Sequence, residues 1–382
     1  MDSSNRHRLI HFIPDEKVTD NFISMLESVY PEESRYIVIG THATPQKTRI
    51  GNNEEYYVKG SKSLAEVIEN VSGYARVFLH GLMQGAGFEK IKHPDITWVI
   101  WGADLYEGLI CRRGYQIYVD EDEQYRVRAA GSPFGKIPVW LYKILVGVRD
   151  RINFRKSLKT VRHLKRVTAI DEDYNLLREY FPELSVELTP FFSYYPIEKQ
   201  IGEANMDKEC RGRNIWVGNS AAPNGNHSSI FARLKDYPET VRIYCPISYG
   251  MQQHINHIDR MGKEMLGERF VGLKDYMPAE KYFEKYLDAN AFIFGHLRQC
   301  GFGSVLMALY FGGKCYFYKD SPLYSYFTRN GVRVFTIDED LNYESTQEPL
   351  DAKTRAANRK FVMSVCSSEA IKKQLGIAFS DR

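Results

Sequence analysis

The sequence predicts an α/β protein built from two Rossmann-like domains in tandem. Strand and helix patterns alternate along most of the chain, which favours parallel sheets with helices on their faces. The chain has 382 residues, of which 43% are hydrophobic and 26% are charged. These values suit two globular domains of ordinary size. The net charge of +3 gives no reason to expect a nucleic-acid partner.

The first half of the chain contains short apolar runs bounded by glycine, proline or charged residues, and such runs are typical of strands. Two intervening segments, 20–30 and 63–71, have helical spacing, and Ser63 is expected to cap the second of them. The predicted strands cover residues 9–13, 36–39, 56–58, 77–80 and 96–101.

The second half repeats this alternation. The predicted strands cover residues 214–217, 241–247, 291–294, 314–318 and 332–336, and the predicted helices cover 228–235, 279–287 and 304–310. We therefore expect an N-terminal domain at 1–197, a polar linker at 198–213, a second domain at 214–350 and a helical tail at 351–382.

Two glycine-containing loops are the clearest sign of a binding site, because each joins a predicted strand to a predicted helix. Ligands of open α/β sheets bind outside the carboxyl ends of strands. Helix N-termini there attract phosphates, and glycine lets the backbone approach them closely. Each loop alone could be an ordinary turn, but together they predict a nucleotide-diphosphate site. The residues concerned are Gly218, Asn219, Ser220 and His227 in the first loop, and Arg298, Gly301, Gly303 and Ser304 in the second.

In the N-terminal domain, an apolar predicted strand is followed by two carboxylates, Asp104 and Glu107. A carboxylate within hydrogen-bond reach of an acceptor hydroxyl could act as its general base, and we favour Asp104 over Glu107. A helix cap is the alternative role for Asp104, and a buried structural position is the alternative for His80. The residues expected on the acceptor side are His80, Gly81, Trp101 and Gly102.

The sequence predicts neither a metal nor a cofactor. Acidic triplets at 120–122, 171–173 and 338–340 match a pattern that can bind a divalent cation, but their polar contexts favour solvated loops. His254 and His257 lack a third ligand and are expected at the surface. Neither glycine loop fits the dinucleotide fingerprint, and no Walker lysine is present.

Segment 143–166 is the most unevenly charged part of the chain, with nine Lys or Arg residues and one acid. Apolar residues, including Trp140, Ile144 and Ile152, recur there at helical spacing. A basic amphipathic helix of this kind binds anionic membranes, although a packed helix with a solvated basic face is the alternative. Neither a signal peptide nor an apolar run of about 18 residues is evident. We therefore predict a cytoplasmic protein that binds an anionic membrane surface peripherally.

These segments resemble a known family, the bacterial TDP-N-acetylfucosamine:lipid II N-acetylfucosaminyltransferases of enterobacterial common antigen synthesis (glycosyltransferase family 56). The likeness extends in order and spacing over roughly residues 8–345. Its most specific part is the string Trp-Gly-Ala-Asp-Leu-Tyr-Glu at 101–107. The other matching points are residues 62–66, His80 with Gly81, 217–220 with His227, and 298–304.

The resemblance implies a GT-B fold, in which two Rossmann-like domains face each other across a cleft, and transfer without a metal. It implies a dTDP-linked 4-acetamido-4,6-dideoxygalactose donor and an undecaprenyl-diphosphate-linked saccharide acceptor. Asp104 and Glu107 would then face the acceptor. The residues that would hold the donor are Gly218, Asn219, Ser220, His227, Gly301, Gly303 and Ser304.

Two departures from the family pattern leave the exact substrates open. Residues 111–133 resemble an insertion, expected near the acceptor, and His296 with Leu297 lengthens the loop before Arg298. A related amino-deoxy sugar, or another lipid-linked acceptor of O-antigen or capsule assembly, is compatible with these differences. A nucleotide-sugar epimerase of the same architecture and a non-catalytic sugar-nucleotide-binding subunit are the alternative functions.

Overall fold

The computed structural model describes residues 7–51, 53–120, 138–275 and 277–380. The chain divides into two compact units. The first unit consists of the described residues of Met1–Tyr115, Val148–Pro196 and Val365–Arg382, and the second of those of Gln116–Gly147 and Ile197–Ser364.

A parallel sheet forms the centre of the first unit. Its strands are β1 Leu9–Pro14, β2 Ser34–Gly40, β3 Glu54–Val58, β4 Arg76–His80, β5 Ile96–Val99, β6 Arg166–Thr168 and β7 Glu187–Thr189. Among the described residues their order is β3-β2-β1-β4-β5-β6-β7. Strand β4 is buried along its whole length, which is why it appears in the sequence as a nearly continuous apolar run.

A second parallel sheet forms the centre of the second unit. Its strands are β8 Asn214–Val217, β9 Ile243–Pro246, β10 Phe270–Leu273, β11 Ala289–Phe294, β12 Lys314–Phe317 and β13 Phe335–Thr336. In the part of the chain that is described, they are ordered β10-β9-β8-β11-β12-β13. The central strand β11 is buried at every position.

Helices follow most of the strands, as the alternating pattern predicted. They are α1 Thr19–Glu27, α2 Lys62–Glu69, α3 Ala103–Tyr106, α4 Val139–Val161, α5 Asp171–Tyr180, α6 Ile197–Ile201, α7 His227–Leu234, α8 Gln252–Leu266, α9 Ala279–Leu287, α10 Phe302–Tyr310, α11 Pro322–Arg329, α12 Tyr343–Gln347, α13 Ala352–Cys366 and α14 Ser368–Ala378. Helix α2 begins one residue earlier than predicted, so its cap is Ser61 and not Ser63. The Ser61 hydroxyl accepts a hydrogen bond from the Leu64 amide at 3.1 Å.

Two stretches pack differently from the predicted domain division. The described residues of 116–147, expected in the N-terminal domain, group with the second unit. There the amide N–H of Val119 donates to the side chain of Asn226 at 2.9 Å. The expected linker contains α6, and its Gln200 side chain donates to the Gly303 carbonyl at 3.2 Å. The linker is therefore a folded part of the second unit.

The tail is helical, and its two helices belong to different units. In α13, the Arg359 side chain donates to the Tyr310 carbonyl at 3.0 Å, within the second unit. In and just after α14, Leu375 and Phe379 enter the apolar core of the first unit. Each helix is therefore held by the packing of its own unit.

Candidate functional site

The strand order of the second unit places the loops after β8 and β11 side by side. Strands β8 and β11 are neighbours. The chain passes from β8 to β9 on one side of this pair, and from β11 to β12 on the other side. Such a topological switch point opens a crevice at the carboxyl ends of the strands, where open α/β sheets bind ligands. The loops begin at Gly218 and Gly295, and they are the two loops on which the sequence analysis based a binding site.

The two loops touch each other through Asn219. Gly301 has a φ of +66°, and a Cβ atom at this position would lie 2.8 Å from Cγ of Asn219. A side chain at residue 301 would therefore strain the backbone and displace Asn219. The amide of Gly218 donates to the Ile293 carbonyl at 2.8 Å, which ties the first loop to β11.

Helices α7 and α10 begin at these loops. The first N–H groups of a helix lack intrahelical partners and carry partial positive charge, and at α10 this end includes Gly303 and Ser304. At α7, His227 is buried against the first loop, and a Cβ atom on Gly218 would lie 3.0 Å from its Nε2 atom. Gly218 is therefore required because the His227 ring occupies the adjacent space.

Gly303 has a different environment from the one expected for a phosphate-binding glycine. A Cβ atom on Gly303 would meet the side-chain amide of Gln200 at 3.3 Å, so the missing side chain makes room for a protein contact. Arg298 and Ser220 are both buried. One guanidinium N–H of Arg298 donates to the carbonyl of the next residue at 3.2 Å.

Asn226, which the sequence analysis did not single out, organises this edge of the sheet. It has a φ of +51°, a conformation that asparagine tolerates better than most residues. Its side-chain amide donates to the Gly295 carbonyl at 2.7 Å and to the Ile117 carbonyl at 3.3 Å. The described part of the presumed insertion from Gln116 onward therefore lies beside the glycine loops of the second unit. Residues 121–133 lie outside the described residues.

His80 has the buried structural position that was the alternative to a place on the acceptor side. It is fully buried, its Nε2 atom lies 3.0 Å from Nδ1 of His11, and its Nδ1 atom is hydrogen-bonded to the Tyr194 hydroxyl. Burial lowers the pKa of His80 to about 3. The ring is therefore neutral and belongs to the core of the first unit.

Asp104 holds together the loops that follow β4 and β5. Its Oδ2 atom accepts hydrogen bonds from the Trp98 indole at 2.6 Å and the Leu82 amide at 3.0 Å. Its Oδ1 atom accepts one from the Trp101 amide at 3.1 Å. The N-cap of α3 is Gly102, so Asp104 is not a helix cap. Burial raises the pKa of Asp104 above its usual value.

The other residues of the acceptor motif surround this carboxylate. Gly81 has a φ of +81°, and a Cβ atom on it would lie 3.6 Å from Oδ2 of Asp104. The half-buried Trp101 donates from its indole to the Tyr194 hydroxyl at 2.9 Å. Glu107 follows α3 and is also half-buried. The first unit therefore brings the predicted acceptor residues together, and the Tyr194 hydroxyl links the buried His80 to Trp101.

Two predictions about the acidic triplets and the histidine pair were wrong, those for Asp173 and His254. Asp173 is buried in the first turn of α5 and accepts a hydrogen bond from the Tyr106 hydroxyl at 2.6 Å, so it is not in a solvated loop. His254 is buried and not at the surface. Residues 121 and 122 lie outside the described part. Within the described ranges, no three His, Cys, Asp or Glu side chains are placed to hold a metal ion together.

Helix α4 presents an apolar face to solvent. Its exposed apolar residues are spaced four apart and are each between 51% and 62% exposed: Trp140, Ile144, Val148 and Ile152. By the helical period, exposed basic side chains continue the same face, namely Arg151, Arg155 and Lys159. None of the helices formed by the described residues has the length and apolarity needed to cross a bilayer.

Comparison with known protein families identifies the chain. The model of a family described as 4-alpha-L-fucosyltransferase, glycosyl transferase group 56, matches residues 140–360, which is more than half of the chain. The chain belongs to glycosyltransferase group 56. The family suggested by the sequence motifs is thus confirmed, and the matched residues include both glycine loops of the second unit.

Several solved structures share the fold of this group 56 enzyme. Sucrose-phosphate synthase from Thermosynechococcus elongatus is 12% identical, with a TM-score of 0.61 over 97% of this chain and 98% of that chain. WaaG, a glycosyltransferase involved in lipopolysaccharide biosynthesis, is 12% identical, with a TM-score of 0.57 over 97% and 100%. Anabaena HepE, crystallised with UDP and glucose, is 10% identical, with a TM-score of 0.57 over 97% and 98%.

At these identities the likeness establishes the fold alone. The fold is GT-B, with two Rossmann-like domains, as predicted. Together with membership of group 56, it makes the chain a glycosyltransferase.

Proposed function

We propose that this group 56 glycosyltransferase transfers 4-acetamido-4,6-dideoxygalactose, or a closely related amino-deoxy sugar, from a dTDP-linked donor. The acceptor is an undecaprenyl-diphosphate-linked saccharide in the assembly of a bacterial surface polysaccharide such as common antigen, O-antigen or capsule. The sugar and the acceptor follow from the motif resemblance. The structural observation that carries the proposal is the contact between the two glycine loops at the switch point of the second unit.

The donor diphosphate is proposed to bind at the start of α10. Backbone N–H groups at a helix N-terminus stabilise anions, and Arg298 in the preceding loop adds a full positive charge. Gly218, Asn219 and Ser220 would line the neighbouring loop. Because these groups balance the phosphate charge, we propose that transfer needs neither a divalent cation nor a cofactor.

The acceptor lipid is proposed to be reached from an anionic membrane surface on the cytoplasmic side. An apolar face that includes a tryptophan inserts at the boundary between headgroups and acyl chains, and basic residues beside it attract anionic lipids. The exposed face of α4 has both components. Peripheral attachment through α4 would bring the enzyme to a substrate whose lipid chain stays in the bilayer.

Activation of the acceptor hydroxyl is proposed to depend on the two carboxylates of the acceptor motif. A general base contributes about 10² to 10⁴ in rate, and it needs an oxygen that can reach the hydroxyl. Three N–H donors already bind the oxygens of Asp104. We therefore propose that Asp104 positions the loops and that Glu107, three residues further on, accepts the proton.

A pair of glycine substitutions tests the donor site. Gly301 and Gly331 lie in the second unit with φ of +66° and +73°, but a Cβ atom would meet Asn219 only at Gly301 and would meet nothing within 4 Å at Gly331. Gly301→Ala and Gly331→Ala therefore introduce similar backbone strain, about 1 to 2 kcal/mol. We expect calorimetry to show dTDP binding weakened about tenfold or more by Gly301→Ala and unchanged by Gly331→Ala. Equal dTDP affinities in the two variants would contradict the assignment of the site.

A further inference from the structure

Three side chains of the second unit that follow neighbouring strands have buried polar atoms without a hydrogen-bond partner among the described residues. These atoms are both ring nitrogens of His296, Oδ1 of Asn219 and Oγ of Ser321. His296 and Ser321 are each 1% exposed. A buried polar group without a partner destabilises the folded state, and in native proteins such groups are few. Their presence together therefore requires an explanation.

All three groups belong to loops at the carboxyl ends of adjacent strands. Asn219 follows β8, His296 follows β11, and Ser321 follows β12, and β11 lies between the other two strands. Neighbouring strands are about 4.8 Å apart. The three side chains therefore come from loops at one edge of the sheet, where ligands of this class of fold bind.

Hydrogen bonds join these loops to each other. The Tyr318 hydroxyl, after β12, lies 2.5 Å from the Ser229 hydroxyl in the first turn of α7. Ser229 donates to the Asn226 carbonyl at 2.8 Å, and Asn226 donates to the Gly295 carbonyl, which immediately precedes His296. The loops are thus held in a fixed arrangement before any ligand binds.

The chemistry of the three groups matches an uncharged ligand better than a phosphate. A neutral imidazole offers one donor and one acceptor, an amide oxygen accepts, and a hydroxyl does either. Burial, and then the charge of nearby Arg298, lower the pKa of His296 to about 3, so the ring adds no positive charge. Hydroxyl and acetamido groups both donate and accept hydrogen bonds, whereas a phosphate oxygen only accepts them.

We propose that Asn219, His296 and Ser321 form the subsite for the transferred sugar and that His296 determines specificity for its hydroxyl and acetamido groups. This inference rests on the proposed function, because it assumes a nucleotide-linked sugar donor in the second unit. The lengthened loop before Arg298 would then supply His296 to the sugar subsite. The diphosphate would bind to the start of α10, and the sugar to the neighbouring buried groups.

Binding measurements on the full chain separate the sugar from the nucleotide. His296→Leu removes both nitrogens at similar volume, and His296→Gln restores one donor and one acceptor. For His296→Leu we expect calorimetry to show an unchanged affinity for dTDP. The affinity for dTDP-4-acetamido-4,6-dideoxygalactose should fall about tenfold to hundredfold, and His296→Gln should recover part of it. His254→Leu, which removes another buried imidazole of the second unit, should leave both affinities unchanged.

The melting temperature provides a second readout. Replacing an unpaired buried polar group with an apolar one of similar shape is nearly neutral or stabilising, so His296→Leu should not lower it. Equal weakening of dTDP and of the nucleotide sugar, no change in either, or a lower melting temperature with unchanged affinities would each overturn the sugar subsite. If the unaltered enzyme did not bind dTDP, the proposed function itself would fail, and the sugar subsite with it.

Discussion

At the scale of single residues, no side chain of the same shape as Asp104 can accept the same three hydrogen bonds. Its two oxygens accept N–H groups from Trp98, Leu82 and Trp101, which belong to β5 and to the loops after β4 and β5. An asparagine presents one oxygen and one NH₂ group. Either orientation of that amide would direct a donor at one or two of these N–H groups. Asp104 therefore supports the local structure whatever it contributes to the reaction.

The variants Asp104→Asn and Glu107→Gln separate these roles. We expect Asp104→Asn to lower the free energy of unfolding by about 1 to 3 kcal/mol, because a buried donor loses its acceptor. Glu107→Gln should keep the melting temperature and the dTDP affinity but lower kcat by about 10² or more. Chemical denaturation and a transfer assay measure these quantities. The opposite result would assign the general base to Asp104. In that case Asp104→Asn would have normal stability but a much lower kcat, and Glu107→Gln would have a normal kcat.

At the scale of secondary structure elements, the exposed face of α4 carries apolar side chains toward its N-terminal end and basic side chains toward its C-terminal end. The apolar residues occupy the first half of the face, and Arg151, Arg155 and Lys159 occupy the second half. No ion pair within the described residues involves these three basic side chains, whereas Lys156, on another face, lies 3.6 Å from Glu89. The charges on the exposed face are therefore available to anionic headgroups.

Vesicle binding tests this role of α4. Each basic residue near an anionic surface contributes about 1 kcal/mol, so Arg155→Glu with Lys159→Glu should weaken binding to phosphatidylglycerol vesicles about thirtyfold or more. Raising the salt concentration should weaken binding of the unaltered enzyme, because it screens these charges. The matched control reverses two exposed lysines of α14, Lys372 and Lys373. Equal losses from both double variants would show that net charge, and not the face of α4, governs binding.

At the scale of the whole molecule, buried neutral imidazoles link folding to pH. Burial lowers the pKa of His80 and of His296 to about 3. Burial, and then the adjacent His80, lower the pKa of His11 well below its usual value. Histidines of the unfolded chain bind protons below about pH 6.5, whereas these three remain neutral in the folded state. The unfolded state therefore gains protons first, and acid favours unfolding.

The free energy of unfolding should fall as the pH drops from about 6.5 toward 3. Above pH 6.5 the three buried histidines should not affect it. Each such histidine contributes a slope of about 1.4 kcal/mol per pH unit. Urea unfolding of the full chain at a series of pH values measures the slope. His296→Leu should reduce it by the contribution of one histidine. An identical slope in the variant would show that the His296 ring is protonated in the folded state.

The parts of the fold that the sequence predicted well are those in which local pattern and burial agree. Strand β11 is apolar and buried throughout, so its periodicity was informative. Strand β6 was missed because it begins with Arg166, which is buried and pairs with Asp95 at 2.5 Å. A sequence pattern predicts that a charged residue is exposed. Arg166 can be buried because its partner Asp95 comes from a distant part of the chain.

The sequence by itself determined the class of fold, the positions of the two glycine loops and the family, because these depend on residue types and spacing over short distances. The tertiary structure alone decided which of the chosen residues belong to the core and which surround a site. His80 meets His11 from 69 residues away, and Asn226 binds the Val119 amide from 107 residues away. No local pattern records such contacts, because burial and hydrogen-bond partners depend on which distant segments the fold brings together.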